Sequence, residues 1–348
     1  QRIIILTTNI MGVNKVSKSK MTSSQILKAN FPPQHYSSES ETHESMVQIT
    51  ETSQLERRGE NDGLVFDADK NGHHGQRYCR AYSEARSEFG NQMLKLYNQD
   101  DGGSEATLFP SGMAAIGACA TSLVTPPQNP TMDTAFIIYG NELYCDVERT
   151  MKYICRRNAG VQAIAVDVCA TDDLLYIFRK HGDKIQLLHF EACTNPSGKM
   201  MDFSVLSTLK KLAPRCTIVC DNTWLSAALF NPFDHGVDIV VESCTKYVSA
   251  GRCIGGVACG SVERMKPIDE WNRVFGQFVP ASIADVFTQQ LKTMPQRVLA
   301  ASVVALKVSQ SLESLRFAMV DRVCYPGLAS HLTHARAKQY LQKGYPGC

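Results

Sequence analysis

At 348 residues the chain is long enough to bury a large core, as one big domain or two smaller ones, which excludes a disulfide-stapled miniprotein. Its 36 Lys and Arg against 34 Asp and Glu leave a net charge of +2, too even a balance for the basic face of a nucleic-acid binder. No apolar run is long enough to span a bilayer, so no membrane partner is expected.

The opening "QRIIILTTNIMGVNKVSKSKM" places its apolar patch ahead of its lysines, the reverse of a secretory signal, and reads as an extension upstream of Met21. Residues 1–75 then read as a polar arm, partly flexible alone, rich in Ser, Glu, His, Asn and Gly. After Gly103 short Val/Ile/Leu-rich strands alternate with helices. "MAAIGACATSLV" predicts a helix, "TAFIIYG" a strand, "NELYCDVERTMKYICRR" an amphipathic helix, "VQAIAVDV" a strand and "TDDLLYIFRKHG" a capped helix. "KIQLLHFE" predicts a strand, "DFSVLSTLKKLA" a helix, and "CTIVCD" and "DIVVES" two further strands. Such alternation argues for an α/β domain from about 104 to 290, a mostly parallel sheet with helices on both faces. The run "FTQQLKTMPQRVLAASVVALKVSQSLESL" reads as one long helix opening a smaller domain over 291–348, which stops at "KGYPGC" before it would be complete. The 13 cysteines, an odd number without CxxC or Cys/His ligand spacing, read as reduced thiols of a cytoplasmic protein, and no metal is expected.

In parallel sheets ligands bind beyond the carboxyl ends of the strands. Residues expected at that rim are Tyr139 and Gly140, Glu191 to Asn195, Asp221 to Thr223, and Ser243 to Lys246. In "FPSGMAAIGA" a serine and glycine open a helix, leaving the N–H groups of Gly112 and Met113 for a phosphate or simply making an ordinary serine cap. In "TIVCDNTW" Asp221 is a partly desolvated carboxylate that persists ionised only with a cationic partner, or else caps a turn with Asn222. In "ESCTKY" Ser243 and Thr245 fall on one side of a continuing extended strand, where their hydroxyls would complete a phosphate cradle, and Lys246 falls on the other. A lysine drawn into a desolvated pocket becomes a usable nucleophile and base, whereas a lone lysine is usually a solvated surface residue. A phosphate site, a carboxylate for a pyridinium and a rim lysine are together the protein's side of pyridoxal phosphate chemistry.

The motifs "SGMAAI", "YG", "EACTNPSG", "VCDNTW" and "DIVVESCTKY", in this order and spacing, resemble the pyridoxal-phosphate-dependent Cys/Met metabolism enzymes. That family includes cystathionine gamma-synthase and gamma-lyase, methionine gamma-lyase and homoserine sulfhydrylase, and "CYPGLASHLTH" resembles its segment early in the small domain. The resemblance implies fold type I, with a pyridoxal-phosphate-binding α/β domain over 76–290. It implies a Schiff base on Lys246, a pyridine nitrogen held by Asp221, and phosphate bound by Gly112, Met113, Ser243 and Thr245. It implies that Tyr139 stacks on the ring and assists proton transfer and that Asn195 binds the ring hydroxyl. Tyr78 and Arg80, in "RYCRAYS", resemble a Tyr-x-Arg pair that reaches a neighbouring subunit's phosphate, so a homodimer or homotetramer is expected. The expected activity is β/γ-elimination or γ-replacement on cystathionine, homoserine esters, cysteine or methionine, and the alternative is a catalytically impaired relative that oligomerises with a complete paralogue. The chain departs from the family pattern after "TKY", where "VSAGRCIGG" brings Arg252 toward the site, and at "AYSEARSEFG", which stands where an Asn-Pro-Thr is usual. No residue is assigned to the arginine that grips the substrate's α-carboxylate.

Overall fold

The computed structural model describes residues 3–5, 83–315 and 320–341. The chain divides into two units, Ile10–Glu84 and a second made of Gln1–Asn9 with Ala85–Cys348; the arm expected over 1–75 lies outside the described residues except at 3–5. In chain order the elements are β1 (Ile3–Ile5), α1 (Glu84–Leu96), β2 (Ser104–Phe109), α2 (Gly112–Ser122), β3 (Ala135–Gly140), α3 (Cys145–Arg157), β4 (Val161–Val166) and α4 (Thr171–His181). Then come β5 (Ile185–Glu191), α5 (Leu206–Leu212), β6 (Thr217–Asp221), α6 (Ser226–Leu229), β7 (Ile239–Glu242) and β8 (Gly256–Ser261). The last are α7 (Val262–Val274), α8 (Ala281–Leu291), α9 (Met294–Ser314), β9 (Arg322–Cys324) and α10 (His334–Tyr340).

Seven strands form one sheet in the order β2-β8-β7-β6-β5-β3-β4, and the short β1 and β9 pair separately in parallel. β3 to β7 run parallel, as their β-branched runs and intervening helices require, while β8 is antiparallel to both β7 and β2. Alternate residues of β3, β5 and β6 feed two cores. One is built with α1, α4, α5 and α8 around Phe89, Met93, Phe178, Leu206 and Phe287. The other is built with α2, α3 and α7 around Ala115, Ile116, Met151 and Met265. The sheet therefore has helices on both faces, as expected for fold type I.

The structure adds β2 and β8 to the strands legible in the sequence. "SEATLF" carries polar residues on a half-buried edge, and "GVACGS" is glycine-rich, so neither has the aliphatic signature of the parallel strands. Gly256 is glycine because a Cβ there would lie 2.4 Å from the Ser111 carbonyl oxygen. The helix expected to run unbroken from Phe287 is instead α8 followed by α9, interrupted at Lys292 and Thr293. Pro295 stands in the first turn of α9, where its missing N–H costs nothing but where a continuing helix would need it. α4 begins at Thr171 after Ala170, without the side-chain cap expected there.

Candidate functional site

The order of the strands reverses between β3 and β5, since β3 leads outward to β4 whereas β5, β6 and β7 follow one another inward. Such a reversal is where α/β sheets bind ligands, in a crevice beyond the carboxyl ends of the strands, here β3 and β5. Its walls are cross-linked by side chains. The Thr194 hydroxyl donates to Glu142 Oε2 at 3.0 Å, Ser197 bonds the same oxygen, and Lys199 Nζ lies 3.0 Å from Glu142 and 2.9 Å from Asp167. Burial opposes the Lys199 ammonium, but the two carboxylates outweigh it and hold its pKa above the ordinary value. Lys199 is thus a fixed cation and no nucleophile.

Beside the crevice, Ser111 caps α2 in extended conformation and its hydroxyl accepts from Ala114 N at 3.0 Å. The N–H groups of Gly112 and Met113 remain at the open first turn. Ser243 presses against that turn, for a Cβ on Gly112 would lie 2.9 Å from the Ser243 Cβ. The expectation of an extended strand through Ser243 and Thr245 is not met: β7 ends at Glu242 and successive turns follow, with Lys246 N donating to the Ser243 carbonyl and Gly251 N to the Lys246 carbonyl. Thr245 is pinned to the Gly255 backbone, accepting from its N–H at 3.2 Å and donating to its carbonyl at 3.3 Å, and the adjoining Gly256 abuts Ser111.

Asp221 closes β6, 8 % exposed, with its Oδ1 accepting from Thr223 N at 2.8 Å. Burial raises its pKa and the Thr223 donors oppose that rise. Thr223 also ties β6 to β7, because its hydroxyl oxygen accepts from Ser243 N at 2.7 Å. None of the salt bridges among the described residues involves Asp221. Lys246, expected in a desolvated pocket, is exposed and has no salt bridge or side-chain hydrogen bond among the described residues. Asn195 is half-buried in the loop after β5, on the crevice wall.

Tyr139, expected at the rim as the stacking aromatic, is instead 3 % exposed within the core beneath α3. Its strand partner on β5 is His189, two residues short of the Glu191 rung that pairs with Asp221. Burial and the nearby Glu148 carboxylate both push its phenol pKa up. An exposed aromatic next to the Glu191 rung is Tyr144, 45 % exposed at the start of α3, whose N–H donates to Glu191 Oε1 at 2.5 Å. Sequence reasoning missed it because the helix was expected from Asn141, whereas a four-residue loop precedes Cys145. Tyr78 and Arg80 lie outside the described residues.

A family model described as Cys/Met metabolism PLP-dependent enzyme matches residues 33–345. The chain belongs to that family. Among relatives of this family, cystathionine beta-lyase of Lactococcus lactis subsp. cremoris is 28% identical over 75% of this chain and 65% of its own length. O-succinylhomoserine sulfhydrylase of Pseudomonas aeruginosa is 30% identical over 70% of this chain and 57% of its own. The chain thus spans about three-fifths of the length of the curated relatives it matches. The fold is that of cystathionine gamma synthase from Xanthomonas oryzae pv. oryzae, with a TM-score of 0.69 at 23% identity over 82% of this chain and 68% of that one. The residues present fit the family's cofactor. The helix turn, too tight at Gly112 for any side chain, offers N–H and hydroxyl groups to a phosphate, and Asp221 is a buried carboxylate without a cationic partner among the described residues.

Proposed function

We propose that this chain is an enzyme of sulfur amino acid metabolism that eliminates or replaces a substituent at the β or γ carbon of an amino acid, with pyridoxal phosphate as its cofactor. Substrates of this class include cystathionine, homoserine esters, cysteine and methionine. The observation that carries the reading is that the Gly112 turn against Ser243, the buried Asp221 and the exposed Lys246 follow the carboxyl ends of β2, β6 and β7 of one sheet.

Bound pyridoxal phosphate supplies an electron sink for charge developing at the substrate's α carbon. Gly112 and Met113, through their N–H groups, and Ser243 and Thr245, through their hydroxyls, would hold the phosphate. Asp221 would keep a proton on the pyridine nitrogen, and Asn195 would bond the ring hydroxyl. Lys246 Nζ would carry the cofactor and move protons at the substrate's α and β carbons. Tyr144, exposed at the start of α3, would take the stacking position that the resemblance gives to Tyr139. Tyr78 and Arg80 would serve the phosphate of a neighbouring subunit in a homodimer or homotetramer.

The test is a visible spectrum of the purified chain with pyridoxal phosphate, followed by borohydride reduction and peptide mapping. A yellow chromophore trapped on Lys246, and lost in Lys246→Ala while the far-UV spectrum is kept, is the expected result. Label scattered over surface lysines, or an unchanged chromophore in Lys246→Ala, overturns the assignment. A trapped cofactor without turnover of any of these substrates would favour the impaired relative.

A further inference from the structure

Glu191 and Asp221 are register partners at the ends of adjacent parallel strands, and both side chains stand on the face that carries Leu187 and Val219. Neighbouring strands run about 4.8 Å apart, so the two carboxyl groups are close. They are 5 % and 8 % exposed, and neither joins a salt bridge among the described residues. Two like charges in such a place cannot both persist. The surroundings decide which group keeps the proton. Among the described residues Asp221 receives both the N–H and the hydroxyl of Thr223, whereas Glu191 receives the N–H of Tyr144 alone. Donors stabilise the anion, so the charge settles on Asp221.

We propose that Glu191 is a positioning residue of this site: as a neutral carboxylic acid it leaves the single negative charge to Asp221 and holds Tyr144 at the start of α3. This rests on the functional reading above, in which Asp221 faces a pyridinium and Tyr144 stacks. The groups facing Glu191 agree with a neutral acid. β6 brings Asp221 on the same face, and its Cys220 side chain turns to the other face of the sheet. β7 turns Glu242 to the opposite face, toward Tyr97, and β3 brings the Tyr139 phenol on the same face two residues short of the rung. α2 brings Cys119 alone among titratable groups, and the acids in the first turn of α3, Asp146 and Glu148, are paired with Arg149 and Lys152. Among the described residues no cation pairs with it, and burial with the Asp221 charge holds its pKa well above the carboxylate range.

Glutamine keeps the acceptor for Tyr144 N–H but cannot ionise, whereas alanine removes both properties. A raised carboxyl pKa gives stability that is full below the unfolded value near 4.5 and is lost as pH rises toward the folded value. In the cofactor-free chain, Glu191→Gln should therefore gain on the wild type by up to about tenfold in the unfolding equilibrium per pH unit above 4.5. In the cofactor-loaded chain, Glu191→Gln should keep cofactor affinity within about threefold, while Glu191→Ala loses roughly tenfold with the Tyr144 anchor. A stability difference that stays flat from pH 5 to 8, or a glutamine variant that loses affinity as alanine does, overturns the proposal. If Glu191→Ala does not fold, the glutamine comparison carries the test alone. If the wild type itself fails to bind pyridoxal phosphate, the functional reading falls, and the pH series still decides where the proton sits.

Discussion

Asp221 is the residue on which the chemistry of the site turns, because burial raises its pKa, the Thr223 donors oppose that rise, and a cation beside it would favour the charged form further. Asp221→Asn keeps the shape and the Thr223 contacts but gives up the charge. A charge-assisted hydrogen bond contributes about 1.5–3 kcal/mol, so cofactor affinity should fall roughly tenfold to a hundredfold, with a fold unchanged by far-UV dichroism. Equilibrium titration of the variant checks this, and unaltered affinity would make the carboxylate purely structural. At this scale much of the site was legible. Ser111, Gly112, Asp221 and Ser243 are marked by a helix-opening pair and by strand ends, which are local signals. Tyr139 was expected at the rim and is buried, and Tyr144 was passed over, for one reason: the rim is defined by register with β5 and β6, a long-range fact that no local pattern carries. Thr223, which joins Asp221 to Ser243, had a faint signal in the Asp-x-Thr spacing at the end of a strand.

Among the elements, the turns after β7 present Lys246, and they are short of regular structure of their own. Arg297 in α9 supplies an anchor: its Nη1 donates to the Tyr247 carbonyl at 2.7 Å, its Nη2 to the Gln290 carbonyl at 2.9 Å and its Nε to the Thr293 hydroxyl at 3.2 Å. One guanidinium therefore fixes the α8–α9 junction and the turn beside Lys246 together. Arg297→Ala should lower stability by about 2 kcal/mol and reduce the fraction of cofactor trapped on Lys246, whereas Arg297→Lys, which cannot reach three acceptors, should restore little. Chemical denaturation and borohydride trapping check both effects; a loss of stability with full trapping would confine Arg297 to the helix junction. The parallel strands were readable from their aliphatic runs, because both of their faces are buried. β2 and β8 were not, because an edge position tolerates polar residues and the approach of Ser111 demands glycine. The break before α9 follows from Pro295, yet the apolar periodicity on either side concealed it.

Across the whole molecule the buried titratable groups pull stability in opposite directions with pH. Burial lowers the His189 pKa to about 4, and its Nε2 lacks a hydrogen-bond partner among the described residues. Burial also lowers the pKa values of His181, His235 and His331. A depressed histidine contributes stability present above its unfolded value near 6.5 and lost as pH falls toward the folded one. The carboxyls do the opposite. Burial raises Glu242 to about 8, with its neighbour Asp221 adding to the rise against the Tyr97 hydrogen bond, and Glu191 and Asp221 shift in the same direction. Their contribution is full at low pH and is lost as pH climbs through each folded value. Between about pH 5 and 6.5 the histidines offset the carboxyls; above 6.5 they no longer change, and the carboxyls act alone. The cofactor-free chain should thus hold a near-constant stability up to about pH 6.5 and lose it toward pH 8, with Glu242 responsible for about 2 kcal/mol of the loss. Glu242→Gln keeps an acceptor for Tyr97 and should flatten the decline, while His189→Leu should leave the decline intact and make stability rise as pH falls from 6.5 to 5. Denaturant titrations at half-unit pH intervals resolve the three curves. A wild type that grows more stable between pH 6.5 and 8 would mean that these carboxyls are ionised in the folded chain and that a cation reaches them.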